Sequence, residues 1–408
     1  MSHWLLVPCL ALTLVLPAAT DEAVRKEAEA VEKLIKDGRL KDALADGTKL
    51  AAAHPTDADV SGALAQVYFE LGDYPKAEAE FIRTLELGPK RWGDVANDYL
   101  AQISFFYGRD DQVKERLAKC TPGPVTKHLP TFVEAAGFKK HRKKKGHYLV
   151  HVDDKLFRLG GHEFAANVME LIYRIYGTQV PFPKIDDLVF RVFVFSTSAG
   201  YEAFNKAVGL DGTGSAGKYL PSYRVLLIDA DPEKAKPNAY GYTDDALDTM
   251  FHEGFHQFIH MYLPDVPDWF NEGFAEYFGP SRIVSADKLE VGIVKKDDPE
   301  GFYTRYSRIK EVLDTGKPVP HLSLEQFVKQ TDKQFDESKD RNNVNYAQAW
   351  SFIHFLLHGC GDGGRRMVKV YFTALREGKP RAQALEEAFG KVDWRALEAQ
   401  WIAYVKRL

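Results

Sequence analysis

The sequence predicts an α+β protein in two parts: an all-α array of helical repeats, then a mixed domain with a small β-sheet and a mainly helical C-terminal part. Three observations lead there. Residues 22 to about 125 are rich in Ala, Leu, Glu and Lys at helical spacing, and they repeat themselves at a fixed shift. Between residues 146 and 230, β-branched and aromatic runs of strand length alternate with a segment of helical period. Beyond residue 300 helical periodicity prevails to Leu408. A chain of 408 residues has room for two or three domains. With 45% hydrophobic and 27% charged residues it has the composition of an ordinary folded protein, and a net charge of −4 gives no reason to expect a nucleic-acid partner.

The N-terminus differs in texture. From Trp4 to Leu16 the run WLLVPCLALTLVL is almost wholly apolar, and Ala18, Ala19 and Thr20 follow it. The run is shorter than the roughly 20 residues that span a bilayer. It predicts a signal peptide over residues 1–20, cut near Ala19 or Thr20, and hence a secreted or periplasmic mature chain. An uncleaved anchor is the other reading, since the leading residues carry only His3. Cys9 lacks the small residues expected before a lipid-modified cysteine, and no later segment is apolar enough to span a membrane. Cys120 and Cys360 then remain, as a disulfide pair or as two free thiols.

In residues 21–125, Gly38, Leu40, Ala43 and Pro55 recur as Gly72, Tyr74, Ala77 and Pro89, each shifted by 34 positions. That shift is the tetratricopeptide period. Small residues at 72 and 77 let two antiparallel helices approach, Tyr68 and Phe81 fill the seam, and Pro89 ends the second helix. A weaker third unit runs through Tyr107, Gly108 and Val113. Residues 126–146 read as a linker: Pro and Gly punctuate 121–130, and the basic run KKHRKKK covers 139–145. That run is expected to be a solvated surface, with anionic lipid, cell-wall polymer or an acidic peptide as alternative contacts. The second domain, 147–408, opens with HYLVHVD (147–153) as a strand and a helix over 163–177. LVFRVFVFS (188–196) and YRVLLIDA (223–230) follow as strands, and then comes a long helix. Segment 281–340, with VKKDDPE and DKQFDESKDR, is expected to form a lid or a surface loop.

The long helix carries DTMFHEGFHQFIH, residues 248–260. Thr243, Asp244 and Asp245 offer N-cap oxygens, and Met250, Phe251, Phe255, Phe258 and Ile259 can bury around it. His252 and His256 lie four apart, so both imidazoles project from one face and can supply two corners of a zinc site. Glu253 stands next to the first histidine, within reach of a water there. Sixteen residues after His256, a second helix is read in DWFNEGFAEYF (268–278), after the turn YLPDVP (262–267). Its Glu272 is the candidate third ligand. His260 continues the four-residue series and reads as helix surface or core, or else as a further donor.

The pair HEGFHQF and WFNEGFAEY resembles the gluzincin zinc peptidases, in particular the aminopeptidase N-type branch and the smaller peptidase MA-like domains. The resemblance implies a thermolysin-like zinc peptidase domain holding one Zn2+ per chain on His252, His256 and Glu272. It also implies Glu253 as general base and Glu276, one turn after the third ligand, as an acceptor that orients a histidine. VNYAQAWSFIHFLLHG (344–359) resembles the helix that brings a tyrosine to the metal in these enzymes, which would make Tyr346 a donor to the oxyanion. The Gly-x-Met-Glu-Asn segment of the aminopeptidases has no counterpart in residues 214–229, so internal cleavage and terminal trimming both stand as readings. Residues 223–229 are expected to be an edge strand that pairs with substrate, or a plain core strand.

The expected activity is hydrolysis of peptide bonds on a peptide or protein substrate, with a protein partner on the repeats. A scaffold protein with an inactive zinc domain, and a zinc hydrolase of a non-peptide substrate, are the alternatives.

Overall fold

The computed structural model describes residues 21–88, 91–134, 138, 142–179, 181, 187–210, 215–231, 236–296 and 304–408. The expected signal peptide, Pro89, residues 139–141 of the basic run, and most of VKKDDPE lie outside the described residues. The chain forms two compact units: residues up to Ile103 with Gln112–Gly123, and Ser104–Asp111 with Pro124–Leu408. The expected single break near residue 125 is therefore corrected, because the turn around Gly108 belongs to the second unit.

The first unit is helical. Helices α1 (Asp21–Lys36), α2 (Leu40–Ala53), α3 (Ala58–Glu70) and α4 (Tyr74–Glu86) follow one another, then α5 (Gly93–Phe106) and α6 (Asp110–Leu117), whose residues divide between the two units. Local chemistry sets the helix starts. Asp57 accepts from the backbone N–H groups of Asp59 and Val60 to cap α3, and Asp73 accepts from that of Lys76 to cap α4. The repeat signature sits in the seam: Ala77 and Phe81 are buried, and Phe81 stacks on Tyr99 with ring centroids 4.8 Å apart.

In the second unit a 3-10 turn (Thr126–His128) and α7 (Leu129–Glu134) precede strand β1 (Arg142–Lys145). The reading of 126–146 as a linker is thus corrected. The run RKKK pairs antiparallel with β2 (Tyr148–Val152) because an edge strand needs one covered side only and leaves lysines in water. Helices α8 (Asp154–Arg158) and α9 (Gly161–Gln179) lead to β3 (Phe190–Phe195), α10 (Ser198–Ala207), β4 (Gly217–Leu220) and β5 (Val225–Asp229). The five strands lie in the order β1-β2-β3-β5-β4, with β2, β3 and β5 parallel and both edges antiparallel. Residues 223–229 therefore supply a core strand. The edge is β4, with Gly217 opposite Ile228 and Leu220 opposite Val225.

The period of two sorts the sheet's side chains. Val150, Val152, Val192, Val194, Leu226 and Ile228 join the core with α9 and with α11 (Asp244–Ile259). On the other face Phe193 and Phe195 pack on Phe132, Phe138 and Phe204. Helix α12 (Asp268–Phe278) follows α11, then the hairpin β6 (Arg282–Ser285) and β7 (Lys288–Glu290). Helices α13 (Arg305–Thr315), α14 (Leu324–Val328), α15 (Asp332–Phe335) and α16 (Lys339–His354) come next; α16 ends in a π-turn (Phe355–Gly359). The chain closes with α17 (Gly361–Arg376), α18 (Arg381–Phe389) and α19 (Trp394–Arg407). Segment 281–340, expected as a lid or loop, thus holds a hairpin and three short helices in its described part. Cys120 and Cys360 are free thiols. Among the described residues no helix is long and apolar enough to cross a membrane.

Candidate metal centre

Helix α11 begins where Thr243 accepts the N–H of Ala246 at 3.1 Å. It runs under the sheet with Met250, Phe251, Phe255, Phe258 and Ile259 buried, as its apolar pattern predicts. Gly254, inside the motif, sits close to α9. A Cβ there would lie 2.8 Å from Met169 Cε and 3.1 Å from the Tyr176 hydroxyl, so glycine lets α11 approach α9 with these two side chains undisturbed. Gly273 serves α12 in the same way, since a Cβ would meet Ile353 Cγ1 at 2.6 Å and the Ala349 carbonyl at 2.8 Å on α16. The two helices that bear the motif are thereby locked to α9 and α16.

Three donor atoms converge between α11 and α12. His252 Nε2 and His256 Nε2 are 3.1 Å apart, and Glu272 Oε2 lies 3.6 Å from the first and 3.5 Å from the second. Tetrahedral ligands on zinc at about 2.0–2.1 Å are separated by roughly 3.3 Å, so the triangle fits that ion. Glu272 Oε2 is buried without a hydrogen-bond partner, a costly arrangement for a carboxylate oxygen that a cation would resolve. These three residues are the group able to hold a metal among the described residues.

The surroundings fix the ligands. The Nδ1–H of His256 donates to Asn271 Oδ1 at 2.8 Å, which leaves Nε2 with its lone pair toward the other two donors. Glu276 Oε1 lies 3.8 Å from His252 Nδ1 and accepts from Arg305 Nη2 at 2.7 Å. Arg305 in turn stacks over the Tyr346 ring at 4.9 Å. Burial pushes Glu272 up, but the imidazoles of His256 and His252 and a hydrogen bond from Tyr346 outweigh it and bring the carboxyl to about 2. Burial pushes His256 down, yet Glu272 and Glu253 raise it to about 9. A site that pulls a proton onto a buried imidazole is short of positive charge. For Glu276, burial is likewise outweighed, here by Arg305 and His252, and its carboxyl is lowered.

Glu253 faces the edge of the sheet, where its Oε2 accepts the Tyr219 N–H of β4 at 2.8 Å. Burial and the carboxylates of Glu272, Asp336 and Glu276 push the Tyr346 hydroxyl far up, so it stays protonated and acts as a donor. His260 is outside the ligand triangle: its ring stacks on Tyr219 at 5.4 Å, and burial with His256 holds it down at about 4, hence neutral. A cavity of about 440 Å3 opens beside the triangle, its wall including His252, Glu253, Asp248, Thr249, Arg305 and Trp350.

The structure thus brings together His252, His256, Glu272, Glu253, Glu276 and Tyr346. Asn271 and Arg305 were not anticipated. Asn271 directly precedes Glu272 in the second motif, which is the signal that could have found it; Arg305 carries no local signal.

Comparison with known proteins supports the N-terminal repeats. The model of a family described as Protein of unknown function (DUF1570) matches residues 246–370, a stretch that holds every residue of the site from His252 to Tyr346. A tetratricopeptide repeat model matches residues 34–97, so the N-terminal helices are tetratricopeptide-like, a kind of repeat suited to binding another protein. No curated protein matches the chain.

Proposed function

We propose that the chain is a zinc-dependent peptidase of the gluzincin type, working outside the cytoplasm, with a thermolysin-like catalytic domain and repeats that dock a partner or substrate protein. The observation that carries this reading is the triangle of His252 Nε2, His256 Nε2 and Glu272 Oε2, with sides of 3.1, 3.5 and 3.6 Å, next to Glu253 on one helix. His252, His256 and Glu272 would hold the metal, which when bound supplies polarisation of a water and of the scissile carbonyl.

The remaining chemistry belongs to the chain's own residues. Glu253 takes the proton of the attacking water and hands it to the leaving nitrogen. The Tyr219 N–H holds that carboxylate against the sheet edge. Tyr346, kept protonated by burial and the nearby carboxylates, turns its hydroxyl from Glu272 to the oxyanion as charge develops. Asn271 holds the His256 imidazole, Glu276 sets a negative charge 3.8 Å from His252 Nδ1, and Arg305 holds Glu276.

The test is metal content followed by cleavage of a mixed peptide library, for wild type, Glu272→Ala and Glu253→Gln. Wild type is expected to bind one zinc per chain and cleave. Glu272→Ala loses the metal, and Glu253→Gln keeps it without turnover. Absence of zinc from the wild type, or full activity in Glu253→Gln, would overturn the proposal.

A further inference from the structure

The cavity beside the ligand triangle has a chemistry of its own. Its walls include the apolar surfaces of Ile293, Tyr306 and Trp350. Asp248 also lines it, one turn ahead of His252 on α11, with its side chain only 25% exposed. Lys295 reaches in from the segment after β7, its Nζ 2.9 Å from Asp248 Oδ2 and 3.8 Å from Asp245 Oδ1. The lysine is the looser partner, at 41% exposure.

Among the described residues three carboxylates border this cavity, those of Asp248, Glu253 and Glu276, against two cations, Lys295 and Arg305. Arg305 is committed to Glu276 at 2.7 Å and stacked on Tyr346. Lys295 is therefore the cation that can leave. Lys295 is the more exposed partner of its pair with Asp248, so another cation can take its place there. Burial keeps the Asp248 carboxyl up at about 6 even with Lys295 beside it, as for an anion that gains from a better counter-ion. Apolar walls with the Asp248 carboxylate among them suit a long side chain with an aliphatic stem and a cationic tip. An incoming acidic side chain would meet the three carboxylates instead.

We propose that this pocket receives a lysine or arginine side chain of the substrate next to the scissile bond, with Asp248 as its counter-ion and Lys295 holding that place in the free protein. The proposal names the substrate class for the peptidase reading and rests on it. It is tested first by binding, without turnover. n-Butylguanidinium is titrated into the full zinc-loaded chain and followed by NMR, for wild type, Asp248→Asn and Lys295→Met, with thermal melts to check that each variant is folded.

The affinity is expected to fall at least about tenfold in Asp248→Asn and to rise several-fold in Lys295→Met. Peptides that differ only by Arg or Met beside the cut site are then compared. The wild type prefers Arg, and Asp248→Asn cleaves both alike. Equal binding by wild type and Asp248→Asn overturns the pocket, and an unchanged affinity in Lys295→Met overturns the place-holding role. Cation binding that requires Asp248 in a chain that cleaves no peptide supports the pocket and sinks the peptidase reading. Cleavage without preference for Arg sinks the pocket and leaves the peptidase standing.

Discussion

His256 is held at Nδ1 by Asn271, while its Nε2 faces His252 Nε2 and Glu272 Oε2. Removing the Asn271 acceptor frees the ring to rotate and to change tautomer. Asn271→Ala is therefore expected to weaken zinc binding by about 10–100-fold with the fold unchanged, measured by titration against a zinc buffer. Tyr346→Phe removes one oxyanion donor and no ligand. Its kcat should fall by about 10²–10³ while zinc content stays at the wild-type level; an unaltered kcat would remove Tyr346 from the chemistry. These residues differ in how far the sequence reveals them. His252 and His256 are legible because helix geometry alone puts them on one face, and Glu253 because it stands next to the first. Glu272 and Glu276 follow from the same geometry on the next helix. Arg305 arrives from beyond a hairpin, and nothing local marks an arginine that will pair with a buried glutamate.

At the level of elements, the site depends on how closely α12 and α16 approach. In Gly273→Ala the new methyl would meet the Ala349 carbonyl and Ile353 on α16. Overpacking of this kind costs about 1–3 kcal/mol, expected as a lowered Tm, and the shift of α12 should weaken zinc binding at Glu272 as well. A variant with wild-type Tm and zinc affinity would show that the interface yields without cost. The helices α9, α11 and α12 and the strands β2, β3 and β5 are legible as apolar patterns because each is buried on one or both faces. Strands β1 and β4 are not, for a shared reason. Each has only four residues at an edge, too short a run for alternation to show. The same holds for 281–340, where the charged faces of short helices masked α13 to α15.

At the scale of the whole molecule, His151 is a buried pH-sensitive group outside the site. His151 stacks on Phe193 at 4.4 Å and is 2% exposed; burial, with Arg191 and Arg142 nearby, brings it from 6.5 to about 3. Between those values the unfolded chain binds the proton and the folded chain does not. Stability from this group is thus full above pH 6.5 and is lost as pH falls toward 3, by at most about 1.4 kcal/mol per pH unit. Urea midpoints measured between pH 7.5 and 4.5 should show the slope, and His151→Leu should flatten it. The division into two units was legible from the 34-residue repeat, while its boundary was not, since helical texture runs unbroken past Ile103. Strand β1 also bears on how many copies can live together. A sheet edge invites a second sheet, but this one presents Arg142, Lys143, Lys144 and Lys145 in a row. Arg142 is paired with Asp110 and Lys143 with Glu163, so copies meeting there bring Lys144 and Lys145 against their counterparts, and fibre-like growth from that side is refused by the charge of those two. The refusal weakens as salt shortens the reach of each lysine to about 8 Å or less.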